Sequence, residues 1–356
     1  MAKYGKNNYF YGVILPEPKE EALRRMAKGV DASKGYLEST DAGLSFDGPR
    51  SMECFFNLRQ SDGTQRPAQF STSMIAIAVT PMDTIMFHCG NKSLQVSRVT
   101  IGDDIHAVIS YDGATAMCYI NGIKVGAMQP TAYMLSALFR IGDPSHITKS
   151  PVHFCRHFNY ALSAEEVAAL YNDGDPAGYV LPSTMKGLTP VEIIGENSHT
   201  WTGVDDPAYS YAVRCSRYFK ISEVYKMRVT ISDYEAGGAP FFKISTADTV
   251  ILSGFNGDGS YELYLQVKGT PYQSVYVYAG PTGSDRRVTI TVDSIEPVGC
   301  IAEYLPQNLI PTAESSVVQW LDSAPQPPEA NGILPPLDAS VGGYDLAAIG
   351  NPKIVV

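Results

Sequence analysis

His106-Ala-Val-Ile-Ser-Tyr-Asp-Gly-Ala-Thr-Ala-Met-Cys-Tyr-Ile-Asn-Gly-Ile-Lys-Val125 is the stretch that decides the fold. Ile105, Ala107 and Ile109 alternate with other residues, the period of a strand. Asp112-Gly113 then breaks the pattern. Ala116 to Ile120 resumes it, and Asn121-Gly122 breaks it again before Ile123-Lys124-Val125. Asp-Gly and Asn-Gly supply positive φ at a turn centre, where a Cβ would otherwise clash. Two such turns this close predict a meander of antiparallel strands.

Outward from this meander the pattern holds. Leu44 to Gly48, Met52 to Leu58, Met74 to Val79 and Thr84 to His88 read as earlier strands. Phe139 to Gly142 and Val152 to Phe158 read as later ones. A helix then interrupts the strands. Ser163-Ala164-Glu165-Glu166 is a capping box, with Leu162 and Val167 placed as a hydrophobic staple. Val167, Leu170 and Tyr171 form the apolar stripe, and Gly174 is the expected stop.

The segment His106–Val125 resembles the central hairpins of laminin-G-like, concanavalin-A-like modules, whose pattern reads roughly xVxxYDGxxxxxYxNGxxV. Phe139-Arg-Ile-Gly142 resembles their next strand. Phe158-Asn-Tyr-Ala-Leu-Ser-Ala-Glu-Glu-Val167 is similar to their closing strand and helix. The resemblance covers about residues 39–180 and implies a concanavalin-A-like antiparallel sandwich with jelly-roll connections.

A second β-rich region runs from about 190 to 300. Tyr225, Met227, Val229 and Ile231 alternate with polar residues, as do Tyr261, Leu263, Leu265 and Val267. Short strands separated by Gly237-Gly238, Asn256 to Gly259 and Pro281 to Gly283 predict another sandwich. Arg287 to Ile295 resembles the closing strand of carbohydrate-binding-module jelly rolls. The fold class expected is therefore all-β, with two antiparallel β-sandwiches. Its parts are an N-terminal arm over 1–38, a laminin-G-like sandwich over 39–182, a second sandwich over 183–303, and an irregular Pro-rich tail over 304–356. In the arm, Ala22, Leu23, Met26 and Ala27 show helical spacing with Gly29 as the stop. The tail, from Ala302 through Trp320-Leu-Asp-Ser323 to Pro352, resembles the linker beside laminin-G-like modules in bacteriophage structural proteins. It is expected to pack on the second sandwich or on a neighbouring subunit.

The 356 residues carry a net charge of −10, with no long run of Lys or Arg. Nucleic-acid binding needs a basic footprint, so none is expected. Met1 to Tyr9 has no apolar core or small-residue cleavage site, so no secretory signal is expected there. No apolar run reaches the 18 residues that suggest a span, so no membrane insertion is expected. Cys54, Cys89, Cys118, Cys155, Cys215 and Cys300 are widely spaced, without a CxxC. They read as buried free thiols.

Chemistry is sparse. The Glu-x-Asp-x-x-Glu run of related glucanases is absent, as are G-x-S-x-G, the P-loop and H-E-x-x-H. No enzyme, no catalytic residue and no cofactor are expected. His153, Cys155 and His157 alternate on one strand, but alternate residues lie about 6.5–7 Å apart, wide for one zinc ion. Packing is the favoured reading, and no metal is expected. Asn256 to Gly259 lacks the spaced carboxylates of a calcium loop and reads as a turn. The candidate ligand-binding residues are Trp201, Asp205, Asp206, Tyr209 and Tyr211, aromatic platforms with nearby carboxylates that suit a glycan. The alternative for Trp201 is a plug at the sandwich end.

The resemblances imply a structural bacteriophage virion protein, a head or tail fibre or decoration at the virion surface. It would be anchored to capsid or tail proteins through its N-terminal arm and form a homo-oligomer, with a trimer favoured. Its sandwiches would bind glycans. The alternative is a bacterial cell-surface carbohydrate-binding or adhesion protein.

Overall fold

The computed structural model describes residues 28–39, 49–60, 63–70, 75–81, 84–97, 99–131, 138–142, 145–146, 148–181, 188, 190–202, 210–219, 224–234, 243–246, 249–253, 257–266, 273–278, 287–312, 316–320, 346–350 and 352–355. The fold is all-β. The opening strands are β1 (Gly29–Ala32), β2 (Gly35–Ser39), β3 (Arg50–Asn57), β4 (Gln65–Phe70), β5 (Ile75–Val79) and β6 (Ile85–Cys89). After them come β7 (Lys92–Val96), β8 (Asp104–Tyr111), β9 (Ala116–Ile120), β10 (Ile123–Met128), β11 (Phe139–Ile141) and β12 (Thr148–Phe158). Helix α1 (Ala164–Tyr171) closes this half.

The expected meander is β8, β9 and β10. Ile120 pairs with Ile123 across a two-residue turn in which Asn121 and Gly122 have φ of 51° and 76°. Positive φ at both centres matches the strand twist, which is why Asn-Gly sits there. In the other turn, Asp112 Oδ1 accepts from the backbone N–H groups of Ala114 and Thr115. The capping box is present: Ser163 Oγ accepts from Glu166 N–H and Glu166 Oε2 from Ser163 N–H. The helix ends at Asn172, a left-handed cap, two residues before the expected Gly174.

The second sandwich follows. Its strands are β13 (Ile193–Ile194), β14 (Ser198–Thr202), β15 (Ser210–Cys215), β16 (Val224–Ser232), β17 (Lys243–Thr246), β18 (Thr249–Ser253), β19 (Gly259–Gln266), β20 (Ser274–Tyr278) and β21 (Arg287–Val298). They form two sheets, ordered β13-β15-β20-β17-β18 and β14-β21-β16-β19. Tyr225, Met227, Val229 and Ile231 are buried between them, as their alternation predicts.

The chain then returns to the first sandwich. After Gly299 come β22 (Cys300–Tyr304), β23 (Leu309–Pro311), β24 (Val317–Trp320), β25 (Leu346–Gly350) and β26 (Lys353–Val355). One sheet of the first sandwich runs β10-β9-β8-β3-β12-β1-β26, with β22 also on β12. The other runs β23-β24-β25-β2-β11-β4-β5-β6-β7. Strand β12 shares one edge between two partners: Val152 pairs with Val30 of β1, and Cys155 with Tyr304 of β22. The second sandwich is thus inserted into the first.

This corrects three expectations. Described residues beyond 304 are not an irregular tail on the second sandwich; they are strands of the first, whose core includes Tyr304, Leu309 and Val317. Residues 29–38 are not part of an arm, because β1 and most of β2 lie in the two sheets. Gly29 does not stop a helix; it lies in β1, between β12 and β26. The helix expected before it, and the Pro-rich stretch 325–336, fall outside the described residues.

Gly29 has φ +152°, and a Cβ there would lie 2.2 Å from the carbonyl oxygen of Val152. The obstacle is backbone, which cannot rotate away. Gly29→Ala is expected to cost about 2 kcal/mol of stability, read as a lowered unfolding midpoint. An unchanged midpoint would show that β1 is not held this tightly.

Candidate functional site

The outer face of the sheet β14-β21-β16-β19 carries a patterned polar surface. Val288, Ile290 and Val292 of β21 face the core, as do Val229 and Ile231 of β16. The period of two sends Thr289, Thr291 and Thr230 outward. Two rows of hydroxyls result. In one, Ser198 and Thr291 share a 2.8 Å hydrogen bond, Thr291 is in register with Thr230, and Thr230 bonds Ser260 at 3.1 Å. In the other, Thr200 and Thr289 share a 2.8 Å bond.

Each row ends on a carboxylate. The Thr230 hydroxyl donates to Asp293 Oδ2 at 2.7 Å, and the Thr289 hydroxyl donates to Asp233 Oδ2 at 3.1 Å. A hydroxyl has one proton, so these donations fix the direction: Ser260 donates to Thr230 and Thr200 to Thr289. Asp293 is placed by a bulge. Register passes from Val229↔Val292 to Arg228↔Ser294, leaving Asp293 as the extra residue that bulges supply. Asp233 sits in the left-handed region with φ 56°, at the end of β16. Both carboxylates are exposed, and so are the flanking Arg228 and Arg287. Such a face offers fixed acceptors and polarised hydroxyls to a polyol, with both charge signs at its margin.

Among the residues expected to bind, Trp201 and Tyr211 stand on strands of facing sheets. The register pairs Trp201 with the core residue Val288, and Tyr211 with Val277. Asp205, Asp206 and Tyr209 lie outside the described residues. Their segment leaves β14 directly after Thr202, two positions beyond Thr200 of the polar rows. The hydroxyl rows themselves were visible in Arg287-Val-Thr-Ile-Thr-Val-Asp293, whose outward residues are Arg, Thr, Thr and Asp. Reading that strand for its apolar set alone passes over them.

The His153, Cys155, His157 series does not share one face. A bulge between Val152 and Phe154 shifts the alternation. His153 packs its ring on Phe55, with Nε2 3.2 Å from Asp104. Cys155 and His157 are buried in the core. No group of three metal-ligating side chains occurs among the described residues. Asn256 lies outside the described residues; just after it, Asp258 Oδ1 accepts from Tyr234 N–H at 2.8 Å. Glu166, already capping α1, also accepts from the Tyr160 hydroxyl.

No family model matches this chain, and no curated protein matches it. Among solved structures it is similar to Trypanosoma rangeli sialidase in complex with sialic acid, at 12% identity and TM-score 0.32. That match covers 36% of this chain and 23% of the sialidase. It is similar to a heptameric SAP-like pentraxin from Limulus polyphemus, at 11% identity and TM-score 0.32, over 41% of this chain and 79% of the pentraxin. A Bacteroides ovatus protein described as carbohydrate-binding matches at 14% identity and TM-score 0.34, over 40% of this chain and 46% of that one. The chain thus spans about a quarter of the sialidase and under half of the Bacteroides protein.

Proposed function

We propose that this chain is a non-catalytic glycan-binding component of a bacteriophage virion, and that the outer face of β14-β21-β16-β19 is its binding surface. The observation that supports this reading is the pair of hydroxyl rows ending on Asp233 and Asp293. Sugars present many hydroxyls, and charge-assisted bonds to carboxylates are the stronger kind. Both acids already accept from threonines on an open face, an arrangement suited to holding a ligand.

The experiment is a glycan array with the full chain and with the Asp233→Asn/Asp293→Asn variant. Each lost charge-assisted bond is worth about 1.5–3 kcal/mol, so the double variant is expected to bind at least tenfold more weakly. Equal binding by the variant would move the site elsewhere, and a blank array would leave a structural role.

The virion role is supported by the sequence likeness to phage structural proteins. Attachment to capsid or tail proteins would use residues 1–27, because removing more takes away β1. Deletion of 1–27 is expected to abolish virion attachment with the strand content unchanged. Light scattering on the purified chain tests the trimer.

A further inference from the structure

Cys54 of β3 and Cys155 of β12 are direct register partners on antiparallel strands. The register runs unbroken from Phe154↔Phe55 to Phe158↔Ser51, so neither cysteine is displaced by the bulge at Val152. Directly opposed residues of an antiparallel pair have Cα atoms about 4.5 or 5.5 Å apart. Both distances fall within the span of about 4.4–6.8 Å that a disulfide bridges. The two side chains share the inward face, each with no solvent exposure. Their thiols interact, and the neighbouring Cys54 helps to raise the Cys155 pKa. The other four cysteines have no cysteine opposite them in any described strand pair.

We infer that Cys54 and Cys155 are a built-in disulfide site, reduced in the folded chain described here and closed when folding occurs in contact with a small-molecule disulfide. The reaction is thiol–disulfide exchange. The thiolate of one cysteine attacks an oxidised glutathione molecule, forming a mixed disulfide and releasing one glutathione thiolate. The second cysteine gives up its proton and displaces the other glutathione. One S–S bond forms in the protein and one breaks in the oxidant; the protein loses two hydrogens, and two glutathione thiols are produced.

In the folded chain the reaction is blocked in two ways. Neither sulfur is accessible. Burial, the neighbouring Cys54 and the nearby Glu53 carboxylate also raise the Cys155 pKa and suppress its thiolate. Closure therefore belongs to folding or to local opening of the β3–β12 pair. Once made, the bond would tie the central strands of one sheet across a loop of about one hundred residues, a length at which cross-linking is strongly stabilising.

The test is refolding of the full chain from denaturant with reduced or oxidised glutathione, then alkylation and peptide mapping. The expected product is a single linked peptide pair, Cys54 with Cys155, with Cys89, Cys118, Cys215 and Cys300 still alkylated. Its thermal midpoint should rise by on the order of 10 °C, a rise absent from Cys54→Ser. The variant that replaces the four other cysteines with alanine should still close the link. Alkylation of both Cys54 and Cys155 after oxidative refolding would overturn the inference. So would links through other cysteines, or a linked product that melts below the reduced one.

Discussion

Replacing Arg156 with alanine is expected to cost about 3–5 kcal/mol, the range for breaking a buried ion pair by removing one partner. Arg156 is 1% exposed and stands between two carboxylates on neighbouring strands. Its Nε donates to Glu303 Oε1 at 2.8 Å, and its Nη1 lies 3.6 Å from Glu53 Oε2. Glu53, with no exposure at all, also holds the His106 Nε2 at 2.8 Å. The four residues form a row of ionisable side chains across β8, β3, β12 and β22, on the outer face of the sheet. Here α1 and the segment after it shut out water. Burial works against the guanidinium charge, but Glu53 and Glu303 outweigh it and raise the Arg156 pKa.

Without Arg156, Glu53 is left buried without its cation, and that desolvation is most of the loss. Hydrogen exchange at β3 and β12 amides reads the cost directly. Arg156→Met combined with Glu53→Leu is expected to be milder than Arg156→Ala alone, since the fully buried carboxylate goes with its cation and only the partly exposed Glu303 loses its partner. Arg156 also donates to the Tyr179 carbonyl at 3.0 Å. It therefore grips both connections to the inserted sandwich, the outgoing chain at Tyr179 and the returning strand at Glu303. Proteolysis between 179 and 190 should accelerate in the alanine variant. A loss under 1 kcal/mol, with unchanged proteolysis, would show that the row is not what holds this face.

Acid is expected to destabilise the first sandwich through His157. This side chain is enclosed by Phe139, Phe70 and Tyr304, with ring centroids at 4.3, 5.2 and 6.4 Å. Its Nε2 has no hydrogen-bond partner. Burial, helped by Arg50, lowers its pKa to about 3 from the usual 6.5. The folded chain thus keeps His157 neutral where the unfolded chain would protonate it. Between those two values the unfolded state binds more protons, so stability falls as pH drops from about 6.5 toward 3. The full difference is about 5 kcal/mol, at 1.36 kcal/mol per unit.

His157→Leu removes the titration and fills the same apolar space. Between about pH 7 and 4.5 the wild type should lose roughly 2–3 kcal/mol more than this variant. Parallel pH profiles for the two proteins would assign the acid sensitivity to other groups.

The legible part of this protein was local. Asp112-Gly113 and Asn121-Gly122 dictate their turns because few other residues tolerate positive φ. Ser163 and Glu166 cap α1 across three residues, and the alternation at 225–231 buries one face of β16 whatever the neighbouring strand is. What stayed hidden depends on which strand lies alongside which. Nothing near Glu303 signals that its strand leaves the second sandwich for the edge of β12. Nothing near Cys54 signals that Cys155 will lie opposite it.

The polar rows on the second sandwich belong to this hidden class in part. Thr289, Thr291 and Asp293 alternate in plain view, but their joining to Ser198, Thr200, Thr230 and Ser260 needs three strand pairings. The bulge at Val152 likewise turned an apparent His-Cys-His face into two. The sequence by itself determined the strands, the tight turns, the helix cap and the all-β class, because each follows from steric and periodic rules acting over a few residues. Only the tertiary structure decided the insertion of one sandwich into the other, the buried ionisable row and the paired cysteines. Strand pairing joins residues far apart in the chain, and an open strand edge accepts any partner that buries the right face.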